Sequence, residues 1–209
     1  SGFSDNTSEE LEDAIVKMEE NGMKGLILDL RDNPGGLLTQ SARVTEKFLE
    51  EKQLIVSTEG RNAKEQERLV AKSETHRKIP LVVLVNGGSA SASEIVAGCL
   101  KDLERAKLVG AKTFGKGSVQ SILPMRDGSA LRLTTAKYFT PSHRTIHEKG
   151  IEPHYPIKMT PEQMRDIMMK RSPGLMETLD PEERERISNA VDPQLTKAIE
   201  ILSDLLKAN

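Results

Sequence analysis

The sequence predicts an α/β protein with a largely parallel sheet and a C-terminal helical appendage, on three observations. Short apolar runs at 25–30 and 80–85 have the composition of buried strands. Each ends in a glycine-paired turn, Asn33-Pro34-Gly35-Gly36 or Asn86-Gly87-Gly88, that leads into a helical pattern, so a β-turn-α unit occurs twice. Beyond Ile157 the pattern changes to three helix starts written as cap plus proline: Thr160-Pro161, Asp180-Pro181 and Asp192-Pro193.

In chain order, Thr7 or Ser8 offers an N-cap, and Leu11, Ile15 and Met18 follow at helical spacing, which predicts a helix to Glu20. Asn21-Gly22 stops it. The strand over 25–30 and its turn are followed by a helix over 37–50. A second strand is expected over 53–57, and the charged stretch 61–78 reads as a solvated loop or an exposed hairpin. The strand over 80–85 is the clearest in the chain, and the helix after it covers 95–103. Strands are expected at 106–109 and 119–123, and Asp127-Gly128 is a hairpin turn whose alternating return is 130–138. These boundaries divide the chain into a core, 1–158, and an appendage, 159–209. In the last helix Leu195, Ala198, Ile199, Leu202, Leu205 and Leu206 form one apolar face, which must be covered by the core, by the other helices or by a second subunit.

Composition removes several function classes. No run of 18 apolar residues exists, which excludes a membrane-spanning helix, and the first ten residues are too polar for a signal peptide. Lys and Arg number 30 against 32 Asp and Glu, with two Tyr, four Phe and no Trp, so nucleic acid is not an expected partner. Cys99 is the single cysteine, which excludes an intrachain disulfide and a cysteine zinc site. Within an apolar helix it reads as a buried small hydrophobe. No cofactor or metal is implied.

In a parallel sheet, sites lie in the loops at the carboxyl ends of the strands. The loop Asn86-Gly87-Gly88 runs into a helix whose first turn, Ser89-Ala90-Ser91-Ala92-Ser93-Glu94, is small enough for a substrate backbone to approach its amides. Amides at a helix start can hold an oxyanion, which makes a hydroxyl there a candidate nucleophile. The competing reading is that Ser89, Ser91 and Ser93 only cap and turn the chain. Glu94 divides in the same way between orienting a catalytic pair and meeting the helix dipole. A base is needed, and His76, His143, His147 and His154 all lie in polar, loop-like surroundings. Lys116 lies between two glycines in Thr113-Phe114-Gly115-Lys116-Gly117-Ser118, where packing could draw its amine out of water. An ordinary lysine is neutral in only about one molecule in a thousand near pH 7.5, so a lysine base has to be desolvated. The stretch 110–116 also matches the start of a phosphate-binding loop, but Gly117 stands where the magnesium-binding hydroxyl is required and a strand pattern follows where a helix is required.

Three segments, Asp29-Leu30-Arg31-Asp32-Asn33-Pro34-Gly35-Gly36, Asn86-Gly87-Gly88-Ser89-Ala90-Ser91-Ala92-Ser93-Glu94-Ile95 and Thr113-Phe114-Gly115-Lys116-Gly117-Ser118-Val119-Gln120, closely resemble the carboxyl-terminal processing peptidases of family S41. The likeness extends over roughly 3–157. It implies a crotonase/ClpP-like core and a serine–lysine dyad in which Ser91 is the nucleophile, Lys116 the base and Gln120 the residue that orients the lysine. It implies oxyanion donors at Ala92 and at Gly35 or Gly36, the choice between the glycines staying open. It further implies a protein or peptide substrate with a free C-terminus and an extracytoplasmic location, while the apolar stripe of the last helix leaves a homo-oligomer through the C-terminal helices open. Family members usually carry a PDZ domain and an amino-terminal region before the point where this chain begins. Without them the expectation is a pocket incompletely formed around Lys116, with the Ser91 hydroxyl and the Lys116 amine farther apart than the roughly 3 Å of proton transfer.

Overall fold

The computed structural model describes residues 2–61, 66–73 and 76–208. In chain order the elements are α1 (Thr7–Glu20), β1 (Leu26–Asp29), α2 (Leu38–Glu46), β2 (Leu54–Gly60), β3 (Arg68–Val70), β4 (Leu81–Val85), α3 (Ala92–Asp102), β5 (Lys107–Gly110), β6 (Ser118–Pro124), β7 (Ala130–Phe139), β8 (Tyr155–Pro156), α4 (Pro161–Lys170), α5 (Pro173–Met176), α6 (Pro181–Ser188) and α7 (Pro193–Ala208).

The strands form two sheets. β1, β4, β5 and β8 make the parallel sheet in that spatial order, with Leu28 beside Val83 and Val83 beside Leu108. β3, β2, β7 and β6 make a separate antiparallel sheet. The hairpin expected around Asp127-Gly128 is its outer edge: Met125 N–H donates to Ser129 O at 2.8 Å, and Gly128 takes φ 85°. β3 pairs with β2, so the stretch after Arg61 contributes a strand of this sheet, while 62–65 and 74–75 lie outside the described residues.

β4 shows why the central strand contains no polar residue. Its side chains alternate between two apolar layers. Leu81, Val83 and Val85 face a core shared with Ile95, Val96 and Leu100 of α3 and with Ile55 and Val56 of β2. Val82 and Leu84 face the other way, onto Ala198 and Ile201 of α7, with Leu195, Leu202 and Leu205 around them. The apolar face of α7 is therefore covered by the parallel sheet, and Ile199 and Leu206 at its margin stay exposed. Cys99 is fully buried in α3, where burial pushes its thiol well above the usual range. No helix among the described residues is long and apolar enough to cross a membrane.

Three local expectations are corrected. Asn6, rather than Thr7 or Ser8, is the N-cap of α1: the Thr7 hydroxyl accepts from Ser4 N–H at 2.9 Å, and Ser8 N–H is given to Gln40 Oε1 at 3.0 Å. α2 stops at Glu46 because Phe48 and Leu49 tighten into three-residue turns that sink both side chains into the core. α5, a single turn that opens at Ser172-Pro173, adds a fourth helix start of the cap-plus-proline kind to the three expected.

Leu84 is fully buried between β4 and α7. Leu84→Ala is expected to destabilise the fold by about 2–5 kcal/mol, through lost transfer energy and the cavity left behind. Urea denaturation with an unchanged m value is the measurement.

Candidate active site

The two glycine-paired loops leave the carboxyl ends of adjacent strands, β1 and β4, and are stitched together at every step. Asn86 Oδ1 accepts from Asp32 N–H at 2.9 Å and from Gly88 N–H at 2.9 Å, while its amide donates to Asp32 Oδ1 at 3.0 Å. Ser89 Oγ donates to Leu30 O at 2.7 Å, and Ser93 Oγ donates to Asn33 O at 2.9 Å. Both hydroxyls are fully buried. Two of the three candidate serines thus spend their hydroxyls on holding the neighbouring loop.

Ser91 has no such tie to that loop. It is half-buried and caps α3 with φ 55° and ψ −115°, a conformation in which a residue with a Cβ is strained. A strand, a sharp turn and a helix with a strained serine at the bend is the geometry of a nucleophile elbow, reached here without the glycines that usually mark it in a sequence. Gly35 packs directly against this bend. A Cβ on Gly35 would lie 2.5 Å from Ala90 O and 2.8 Å from Ala92 N, so only glycine lets the loops approach this closely. Gly35 N–H donates to Asn33 Oδ1 at 3.0 Å, and Gly35 O accepts from Phe3 N–H at 2.8 Å. No described residue accepts from Gly36 N–H or from Ala92 N–H, the first amide of α3.

Lys116 comes from a third loop, between β5 and β6, and Glu94 brings it to the other two. The Glu94 side chain is fully buried one turn into α3. Its Oε1 accepts from the Thr113 hydroxyl and from Gly115 N–H at 2.7 Å. Its Oε2 accepts from Ser91 N–H at 2.9 Å and from Lys116 N–H at 2.8 Å. A single oxygen atom therefore holds the backbones of the two residues singled out by the sequence. Of its two readings, the one in which Glu94 orients the pair is the one the contacts support. Thr113 extends the clamp, since its hydroxyl also accepts from Ile151 N–H at 2.7 Å.

The side chains themselves are not joined. Lys116 and Gln120 are exposed, and among the described residues no hydrogen bond links Lys116 to Ser91 or to Gln120. The dry surroundings expected for the lysine are absent: it is exposed, in the loop that leads into the edge strand β6. Gln120 sits at a bulge between Val119 and Gln120, the kind of irregularity that re-aims a side chain near a site. The histidines are engaged elsewhere. His143 meets Glu59 Oε1 at 2.6 Å, His76 and His147 lie near Glu50 and Glu148, and His154 Nδ1 accepts from Leu108 N–H at 2.9 Å. Burial, with Lys101 and Lys107 nearby, pushes His154 below the usual histidine range. No group of three or more metal-ligating side chains occurs among the described residues, and β6 follows the loop at 110–117 where a phosphate-binding loop would need a helix.

Comparison with known proteins places the chain in a family. The model of peptidase family S41 matches residues 1–157. The chain belongs to peptidase family S41. It is 49% identical over 156 residues to a carboxy-terminal-processing protease of Bartonella bacilliformis, covering 72% of this chain and 36% of that protein. It is 47% identical over 153 residues to a carboxyl-terminal-processing protease of Synechocystis, covering 73% and 35%. Among solved structures, a photosystem II D1 C-terminal processing protease matches with TM-score 0.70 and 34% identity over 75% of this chain and 40% of that one. An S41 protease structure from Bacteroides fragilis, at 18% identity and TM-score 0.64, shares the fold over 94% of this S41 chain. The chain spans about a third of the length of the curated relatives it matches.

Glu94→Gln tests the clamp. An amide would present an NH₂ group to two N–H donors that now share one carboxylate oxygen, leaving buried groups unpaired. The expected result is a loss of about 1–3 kcal/mol in stability and faster amide exchange over 113–117, read by hydrogen–deuterium exchange.

Proposed function

We propose that this chain is the catalytic core of a serine endopeptidase that cleaves protein substrates near their C-terminus through Ser91 and Lys116. The observation that carries the reading is the shared Glu94 carboxylate, which fixes a strained N-cap serine and a glycine-flanked lysine on the same atom. The S41 match and the names of the relatives support the reaction class.

In this mechanism the neutral Lys116 amine takes the Ser91 hydroxyl proton as Oγ attacks the peptide carbonyl carbon. The oxyanion is held by Ala92 N–H and by Gly36 N–H, the glycine amide not already given to Asn33. The C–N bond then breaks, and Lys116 delivers the proton to the departing amine. Water, losing its proton to Lys116, attacks the ester of Ser91; the C–O bond breaks and the proton returns to Oγ. Substrate lying over the exposed Lys116 would exclude water from it, and Gln120 would orient the amine from β6. The substrate is a polypeptide with a free C-terminus, and the compartment is extracytoplasmic. The margin of α7 that stays exposed, Ile199 and Leu206, is where a second copy would meet this one.

The test is turnover of an unfolded protein by the full-length protein. Ser91→Ala and Lys116→Ala are each expected to abolish cleavage while leaving the circular dichroism spectrum unchanged, and Gln120→Ala to reduce kcat only in part. Full turnover by either of the first two variants would overturn the dyad.

A further inference from the structure

Arg31 follows Leu30 at the end of β1 and precedes the loop that carries Gly35 and Gly36, and its side chain is only 4% exposed. Its guanidinium uses all three nitrogens. Nε donates to Asp29 Oδ1 at 3.0 Å and Nη2 to Asp29 Oδ2 at 2.8 Å, while Nη1 donates to Asp192 Oδ1 at 3.0 Å and to Gln194 Oε1 at 3.0 Å. Nη2 also lies 2.9 Å from Asp192 Oδ2. Arg171, the C-cap of α4, closes the group by donating to Asp29 Oδ2 at 2.8 Å and to Asp192 Oδ2 at 3.0 Å. Two guanidiniums and two carboxylates thus balance. Asp192 also accepts from Gln194 N–H and Leu195 N–H at the start of α7, and Gln194 donates to Ile157 O at 2.9 Å.

Arg171, Asp192 and Gln194 all lie beyond the 157 residues matched by the family model. We propose that this cluster makes the C-terminal helices a positioning device for the oxyanion loop, with Asp192 and Arg31 as positioning residues for the Gly36 amide. A planar guanidinium bonded to two carboxylates has one orientation available, so it sets the direction in which the chain leaves β1. Asp32, the next residue, takes φ 55° and is locked to Asn86. The start of the loop is consequently held on two sides, at Asp32 by Asn86 toward the nucleophile and at Arg31 by Asp192 toward the helices. For catalysis the proposal rests on the peptidase reading above, since an amide displaced by even an ångström loses the oxyanion without losing the substrate.

The decisive variant is Asp192→Asn in the full-length protein, because asparagine still caps α7 but no longer supplies a carboxylate to two guanidiniums. The expected result is a fall in kcat of at least tenfold with KM within twofold, and faster amide exchange over 31–36. Arg31→Lys should behave alike, since one ammonium cannot serve two carboxylates. If Asp192→Asn does not fold, Arg171→Lys at the exposed end of the cluster should show the same direction with a smaller change. Ile201→Ala, which loosens α7 on the sheet by apolar truncation, should lower Tm and leave kcat in place. Unchanged kcat and unchanged loop exchange in Asp192→Asn, or an equal loss of kcat in Ile201→Ala, would overturn the proposal. A wild-type protein without activity, or a Ser91→Ala form that keeps it, would instead overturn the peptidase reading, and the exchange measurement would still decide whether the helices hold the loop.

Discussion

The arrangement of the site depends on one buried carboxylate. Glu94 has left water, and an ion in that position is tolerated only when its acceptor sites are filled. Four donors fill them, from Ser91, Thr113, Gly115 and Lys116. Bonds from N–H and O–H groups to an ionised oxygen are stronger than those between neutral partners, so the carboxylate can hold the two loops together. The glycine-rich stretch 115–117 has little conformational preference of its own and takes its course from this acceptor and from Ile146 and His147 packed beside Gly117.

The rest of the molecule supplies a rigid frame on which that clamp can act. The alternating side chains of β4 make it the middle of a three-layer stack, with α3 on one face and α7 on the other. Loops at the carboxyl ends of β1 and β4 then start from fixed points, and the bonds of Asp32 to Asn86 and of Ser89 and Ser93 to the β1 loop join them into one surface. Lys116 enters from the other sheet. The serine side of the site therefore belongs to the parallel sheet and the lysine side to the loop before the edge of the antiparallel one.

Much of the frame was legible in the chain. Periodicity and apolar runs located β1, β4, α1, α3 and α7, and turn chemistry located the bend at Asp127-Gly128, because these signals are local and survive in any context. The site residues were legible as motifs. Their division of labour was not. Ser89, Ser91 and Ser93 look alike in sequence, and only the positions of Leu30 O and Asn33 O show which hydroxyls are already committed. Glu94 stood between a helix-start acid and an orienting residue until its four donors, two of them more than twenty residues away, were in place.

By itself the sequence determined the α/β alternation, the two glycine-paired turns, and the presence of a serine, a lysine and small residues where chemistry could occur, since each follows from local preference and spacing. Only the tertiary structure decided that the later hairpin joins a second sheet, that the last helix covers the first sheet, that Gly35 N–H is spent while Gly36 N–H meets no acceptor among the described residues, and that Lys116 lies open in the loop before an edge strand. Those outcomes depend on contacts between residues far apart in the chain, where the direction of a hydrogen bond and the filling of a layer are set by what folds against them.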